Sequence, residues 1–352
     1  MNDSQDGSLS HMLAAPLTRI AIPASMTRRA STKATPVKNV ALIGLGAMGL
    51  PMLDNFIAAG YKMRVYDVNA SAMKEAAAKG ADGAASPAEA AAGADAVVTM
   101  VPNDSVLRKV TCAPETGILH AMRPGSVHVS CSTVHPDTSR ELARLHATAG
   151  SAFIGAPIFA RADGVARRLA SFCVGGEAGA IAMARPLLEA NANGIFEFGD
   201  DPGAGNVVKI CGNYMIASTI QTCAEALSLA EKSGLDRQAV MRMLNTTIFD
   251  CLIYRGYGDR VAQRSHVPGE PLVGPGFQLE LGLKDVTLAC DVARQVHAPM
   301  PFATLLHDRF LAAVARGRGK LDWSAVALSA SEEAGVDVSH LVPPLPGAGK
   351  KP

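Results

Sequence analysis

Strand-like apolar runs alternate with helical periods over residues 37–199, and after residue 200 nothing alternates like a strand. Residues 37–60 are an apolar run, a glycine turn and a helical period. Residues 61–68 read as a second strand, 70–79 as a helix, and 96–101 and 126–130 as further strands. Two more apolar segments follow at 152–158 and 171–175, with 159–170 between them. Strands alternating with helices imply a parallel sheet, with ligands at the carboxyl ends of the strands. Beyond it, residues 235–247, 278–298, 303–316 and 324–334 have the period of helices.

The two halves meet in one stretch, residues 200–234, which reads as a single long helix. Asp200 or Asp201 can cap it, Pro202 sits where a missing N–H costs nothing, and Gly234 offers a left-handed stop. Such a helix would run roughly 48 Å, longer than a small domain needs for itself. Between Lys209 and Glu225 the only ionisable residues are cysteines and Tyr214, with small or apolar residues all round, so the helix is expected to be buried on most sides. Lys209 is the lone cation entering this neighbourhood, and Asn213 faces the same way one turn on. Desolvation lowers the pKa of an ammonium and makes a lysine a usable proton donor and acceptor near neutral pH. A lysine snorkelling to water from the first turns of the helix is the bland alternative.

The first turn of the chain's α/β half has a chemical signature. Gly44, Gly46 and Gly49, with Leu45, Ala47 and Met48 between them, make G-x-G-x-x-G directly after an apolar run and before a helical period. The first glycine permits the tight turn, the second lets backbone approach a pyrophosphate, and the third lets helix and strand pack. The second strand ends near Asp67, close to the acidic position that bonds a ribose hydroxyl pair. A carboxylate there repels a 2′-phosphate and no arginine follows it, so NAD is favoured over NADP. The fold expected is a Rossmann-type parallel-sheet α/β domain over residues 37–199, then an all-helical domain over 200–335. Val101, Pro102, Ser132 and Thr133 all fall at carboxyl ends of strands, although Ser132 and Thr133 would serve equally as caps for a helix from Asp137.

Composition narrows the class further. The 352 residues leave room for two domains, and 33 basic against 32 acidic side chains argue for neither a nucleic acid nor an anionic membrane as partner. Seven cysteines without a CxxC pair make neither a disulfide framework nor a zinc site, and no metal is expected. Residues 1–36 and 336–352 lack core-forming content and read as disordered. The first of these carries Arg19, Arg28, Arg29 and Lys33 with no acid after Gly7, as in a transit peptide, while Asp3 and Asp6 argue the other way. With no secretory pattern and no apolar run of spanning length, the expected location is the cytoplasm, or the mitochondrial matrix if the first segment is a transit peptide.

Four segments, LIGLGAMGLPMLDNF (42–56), STVHPDTSREL (132–142), GNVVKICGN (205–213) and GFQLELGLKDV (276–286), together resemble the β-hydroxyacid dehydrogenase family. The likeness covers roughly residues 37–335, in the family's order and spacing. It implies a Rossmann-type domain, a helical domain like the C-terminal one of 6-phosphogluconate dehydrogenase built on the linking helix, and a homodimer or homotetramer. By this likeness Lys209 falls on the family's catalytic lysine and Asn213 on its companion asparagine. Ser132 falls on a substrate-contacting serine, and Thr133, Val101, Pro102 and Lys284 on cofactor-contacting positions, with Thr133 counted for the substrate too. Phe277, grouped with the cofactor contacts, and Asp285, grouped with the substrate contacts, belong to the Lys284 segment. Without the family, Lys284 would read as a surface cation paired with Glu280. The implied activity is hydride exchange between a nicotinamide and the hydroxyl carbon of a 3-hydroxy acid, or reduction of the matching semialdehyde or keto acid.

One loop departs from the resemblance. Relatives carry Asp-Ala-Pro-Val-Ser-Gly-Gly, whose glycine amides receive the substrate carboxylate, where this chain has Gly155, Ala156, Pro157, Ile158, Phe159, Ala160 and Arg161. Losing two glycines removes the freedom that lets amides wrap an anion. Two readings stay open: Arg161 grips a carboxylate in place of the amides, or Phe159 shapes the pocket for a larger or more apolar substituent. Two other functions compete with the dehydrogenase, C=N reduction as in imine reductases and non-catalytic dinucleotide binding, and in both the lysine is usually missing.

Overall fold

The computed structural model describes residues 37–266 and 276–341. The expected disordered segment 1–36 and the end of the tail, 342–352, lie outside the described residues. Six strands, β1 (Asn39–Ile43), β2 (Lys62–Tyr66), β3 (Asp82–Gly83), β4 (Ala96–Thr99), β5 (Val127–Ser130) and β6 (Ala152–Gly155), form one sheet. Its order is β3-β2-β1-β4-β5-β6 and every pairing is parallel. The central strands are buried on both faces, as they must be between two helical layers. The order reverses between β1 and β4, so the crevice for a dinucleotide opens beyond those two carboxyl ends.

The expected segment 152–158 is not one strand. It breaks at Ala156 and Pro157, and β7 (Ile158–Phe159) joins a second sheet with β8 (Ala170–Val174) and β9 (Ala192–Glu197). β9 does not stand out from the sequence because its exposed positions leave too short an apolar run to read. Paired backbone bonds between Gly155 and Gly175 tie the two sheets together.

The long helix runs Ala204–Lys232, about 43 Å, and starts later than its sequence suggests. Asp201 accepts the Gly203 N–H in the preceding turn and pairs with Arg140, so neither it nor Pro202 belongs to the helix. Gly234 does take the left-handed conformation at the other end, with φ +80°. The first turn of the helix and the turn just before it press on the sheets without side chains between: a Cβ on Gly205 would overlap the Cys173 carbonyl, and one on Gly155 would overlap that of Pro202. Its second half lies in the helical core with Ala217, Ile220, Ala224 and Leu227. Burial is not complete all round, because Met215 is 66% and Leu229 71% exposed.

The second half continues through helices Arg237–Thr246, Asp259–Gln263, Leu279–Gln295, Pro301–Ala313 and Ala327–Glu333 with shorter helical turns between. They surround Trp323, which meets Tyr257, Phe277 and Phe310 edge to face at 5.4, 4.8 and 6.4 Å. Gly282 passes where a Cβ would lie 2.9 Å from the indole. Residues 336–341, expected in the tail, instead contribute Val338 to this core, because its side chain finds an apolar site that sequence pattern alone does not show.

Under the first sheet a polar chain crosses the core. Thr99 Oγ1 meets His128 Nε2 at 2.9 Å, His128 Nδ1 meets His146 Nε2 at 3.0 Å, and His146 Nδ1 meets Ser151 Oγ at 2.8 Å. Burial pushes both imidazoles down, His146 to about 4 and His128 well below its ordinary value, with each other's charge as a further cause for His128. His266, buried among four arginines, is pushed down to about 3. All three are held neutral when folded, so the unfolded chain binds protons first. Stability is full above pH ~6.5 and falls as pH drops toward ~4, by about 3 kcal/mol for His146 alone. Urea midpoints taken from pH 7.5 to 4.5 are expected to fall in that window, and His128→Asn/His146→Gln to flatten the slope. An equal slope in the double variant would remove the histidine chain as its cause.

Candidate active site

The glycine turn follows β1 and opens the helix Gly49–Ala58. Gly44 has φ +101°, and a Cβ there would overlap the Met100 carbonyl. A Cβ on Gly49 would overlap Gly44, whereas one on Gly46 would meet nothing within 4 Å. Two glycines therefore close the turn and the middle one leaves its backbone open, which fits a pyrophosphate received by the N–H groups there. Asp67 lies just past β2 with Oδ2 accepting the Leu45 N–H at 2.6 Å and Oδ1 the Asn69 N–H at 2.7 Å. Its negative charge is thereby fixed against the turn.

At the end of β4, the Val101 N–H donates to the buried Ser132 Oγ at 2.8 Å, tying the β4 end to the β5 end. Pro102 follows in the turn, and Asn103 caps the next helix. Ser132 and Thr133 are not the caps of helix Pro136–Thr148; His135 is, through its side chain. The Thr133 carbonyl accepts from Lys284 Nζ at 2.6 Å. Lys284 is thus no surface cation paired with Glu280, which pairs with Lys320 instead. It reaches across from the helical domain and also lies 2.9 Å from Asp285 Oδ1.

Lys209 is 9% exposed, with Asn213 buried one turn on. Its pKa is lowered to about 8, with desolvation the largest cause, opposed by Asp285 and Cys173 and aided by Lys284. Burial therefore outweighs the attraction of the carboxylate. Asn213 does not bond the lysine: its Nδ2 donates to Asp285 Oδ2. Since a carboxylate only accepts, the Asn213 carbonyl oxygen is left for another donor. Phe159 lies with its ring centroid 4.0 Å from Lys209 Nζ.

Two predicted residues make their own contacts with other groups. Phe277 packs on Trp323, and its N–H points to Asp322 at 3.3 Å. Arg161 lies against Gly276 and 3.8 Å from Asp163, with its Nε buried and unbonded. One residue escaped the sequence reading. Asn206 accepts the Val134 N–H at 3.0 Å and donates to Ser139 Oγ at 3.0 Å, fastening the Ser132–Thr133 loop to the long helix. A polar side chain three residues before Lys209, on the same face, was the available signal.

Residues 39–199 match a family model described as the NAD-binding domain of 6-phosphogluconate dehydrogenase. Residues 203–330 match one described as NAD-binding of NADP-dependent 3-hydroxyisobutyrate dehydrogenase. The oxidoreductase YfjR of Bacillus subtilis, itself uncharacterised, is 33% identical over 82% of this chain and 98% of its own. The chain belongs to the β-hydroxyacid dehydrogenase family. Another member, the 3-sulfolactaldehyde reductase of Escherichia coli, is 32% identical over 84% of this chain and 97% of its own. A solved 3-hydroxyisobutyrate dehydrogenase of Mycobacterium tuberculosis with L-serine superposes with a TM-score of 0.73 at 32% identity, covering 83% of this chain and 99% of that one. Imine reductases such as that of Myxococcus stipitatus, at 18% identity and a TM-score of 0.56, share the fold alone. This family member is accordingly an NAD(P)-dependent oxidoreductase of the CH–OH class.

The two kinds of glycine in the turn separate stability from binding. Gly44→Ala is expected to lower the melting temperature by several degrees and to abolish NAD binding. Gly46→Ala is expected to leave the melting temperature unchanged while weakening NAD at least tenfold in a calorimetric titration. Wild-type NAD affinity in Gly46→Ala would mean that the open backbone does not receive the pyrophosphate.

Proposed function

We propose that the chain moves a hydride to or from the hydroxyl carbon of a 3-hydroxy acid, or reduces the matching semialdehyde or keto acid, with Lys209 carrying the proton. The observation that carries this reading is a lysine nine-tenths buried whose pKa is lowered to about 8. A group poised there exchanges a proton with a substrate oxygen at neutral pH, and such positioned acid–base help is worth roughly 10²–10⁴-fold. When bound, the nicotinamide supplies the hydride exchange. Protonated Lys209 stabilises negative charge on the oxygen in surroundings where water is scarce. Asn213, oriented by Asp285, offers its carbonyl oxygen to a hydroxyl or to the lysine. Ser132 keeps its own hydroxyl hydrogen for the substrate while accepting from Val101.

On the cofactor side, Asp67 at the glycine turn favours NAD, since its charge repels a 2′-phosphate and its oxygens retain lone pairs for ribose hydroxyls. Thr133, held by Lys284, joins the β5 end to the helical domain over the same crevice. Arg161 remains the proposed partner of a substrate carboxylate, on the strength of an Nε that makes no hydrogen bond and stands 3.8 Å from Asp163, in a loop where the resemblance implies glycines.

The test is a spectrophotometric panel of 3-hydroxyisobutyrate, L-serine, 3-sulfolactaldehyde and related hydroxy acids, each with NAD and with NADP. A hydroxy acid is expected to turn over, faster with NAD and with an oxidation rate that rises as pH passes about 8. Lys209→Ala is expected to lose at least 10²-fold in turnover while binding NAD normally; turnover within tenfold of wild type would sink the assignment. In Arg161→Ala, KM for the active acid is expected to rise severalfold with kcat little changed, and an unchanged KM would remove the carboxylate role.

A further inference from the structure

The amine of Lys209 has no hydrogen-bond partner among the described residues, although nine-tenths of its surface is buried. What lies against it is the face of the Phe159 ring. The position of that ring is built rather than incidental. Phe159 is held in β7, paired opposite Ser171 of β8, with buried Ile158 beside it. At its tip the ring meets the long helix at Gly212, where a Cβ would stand 2.7 Å from Phe159 Cε1 and nearer still to Cζ. Glycine at 212 is therefore what admits a phenyl ring between the strand and the lysine.

We propose that Phe159 is a positioning residue for proton transfer: its ring face holds the Lys209 ammonium in the cleft and favours the protonated lysine. The inference rests on the reading of Lys209 as the proton carrier and explains how a buried cation persists there without a hydrogen bond. The face of an aromatic ring carries the negative part of its quadrupole, and a desolvated ammonium over it is attracted where an aliphatic side chain would offer nothing. The other charged or titratable groups facing Lys209 are Asp285 and Lys284 from helix Leu279–Gln295 and Cys173 from β8. Asp285 is already engaged by Asn213 and Lys284, Lys284 repels, and the Cys173 thiol is pushed up by burial and so stays uncharged at neutral pH. The ring is the group in direct contact that favours the cation, adding to the longer-range attraction of Asp285. A lysine kept protonated near pH 7 is the form that gives a proton to a carbonyl oxygen, so the ring biases the site toward reduction.

The test reads the lysine directly. Protein labelled with ¹³Cε-lysine is titrated by NMR, with the Lys209 resonance assigned by its loss in Lys209→Met. Phe159→Leu, which keeps the bulk and removes the quadrupole, is expected to titrate about one pH unit lower than wild type. Phe159→Tyr, which restores the ring, is expected to titrate with wild type. Gly212→Ala, whose added methyl pushes the ring away, is expected to move the midpoint down as Phe159→Leu does, and combining the two to add nothing. A Phe159→Leu midpoint equal to wild type overturns the proposal, as does Gly212→Ala titrating with wild type while the double variant falls further. Failure of the underlying reading is separate: Lys209→Ala would then keep its turnover, wherever Phe159→Leu titrates.

Discussion

The close approach of the long helix to the two sheets is the constraint on which the site depends. Backbone meets backbone at Gly205 against the Cys173 carbonyl and at Gly155 against the Pro202 carbonyl, with no side chain to hold them apart. That contact drives the first turns of the helix into the α/β half, so Lys209, one turn beyond Gly205, loses its water to β8 rather than reaching it. A single larger residue at either glycine would lift the helix off the sheet, and the lysine would recover ordinary solvation and an ordinary pKa.

The same geometry draws the groups proposed for binding and for proton transfer from different halves of the chain. The glycine turn, Asp67 and the β4 and β5 ends belong to the parallel sheet, while Lys209, Asn213, Lys284 and Asp285 come from the helical half. Among the bridges that fasten them are Asn206 to the Val134 N–H and Lys284 to the Thr133 carbonyl. Both hold the loop after β5, where Ser132 also ties to Val101. A substrate between the halves thus meets a wall whose parts are hydrogen-bonded to one another, which is what positions reacting atoms at fixed distance.

The altered loop after β6 changes the character of one wall. Where the family resemblance implies glycine amides, this chain presents a phenyl ring to the lysine and turns Arg161 toward Gly276 in the helical half. An aromatic face and an anion cradle make opposite demands on a substrate, one apolar and one charged, so the shared fold does not carry a shared substrate with it.

Much of this was legible in the chain alone. Glycine spacing after an apolar run, the strand and helix periods, and an isolated lysine on an apolar helix report local rules, since each depends on backbone freedom or on periodicity within a few residues. Helix ends were less legible: Asp201 looks like a cap, yet it bonds Arg140 and the turn before the helix, a choice made by a residue some sixty positions away. Lys284 looked like a surface cation for the same reason, because its partner, Thr133, is 151 residues distant. Only the folded chain brings a ring from a two-residue strand over the Lys209 amine, and only there does burial outweigh the pull of Asp285. Local pattern determines which residues can do chemistry; long-range contact decides which of them are dry, paired and aimed.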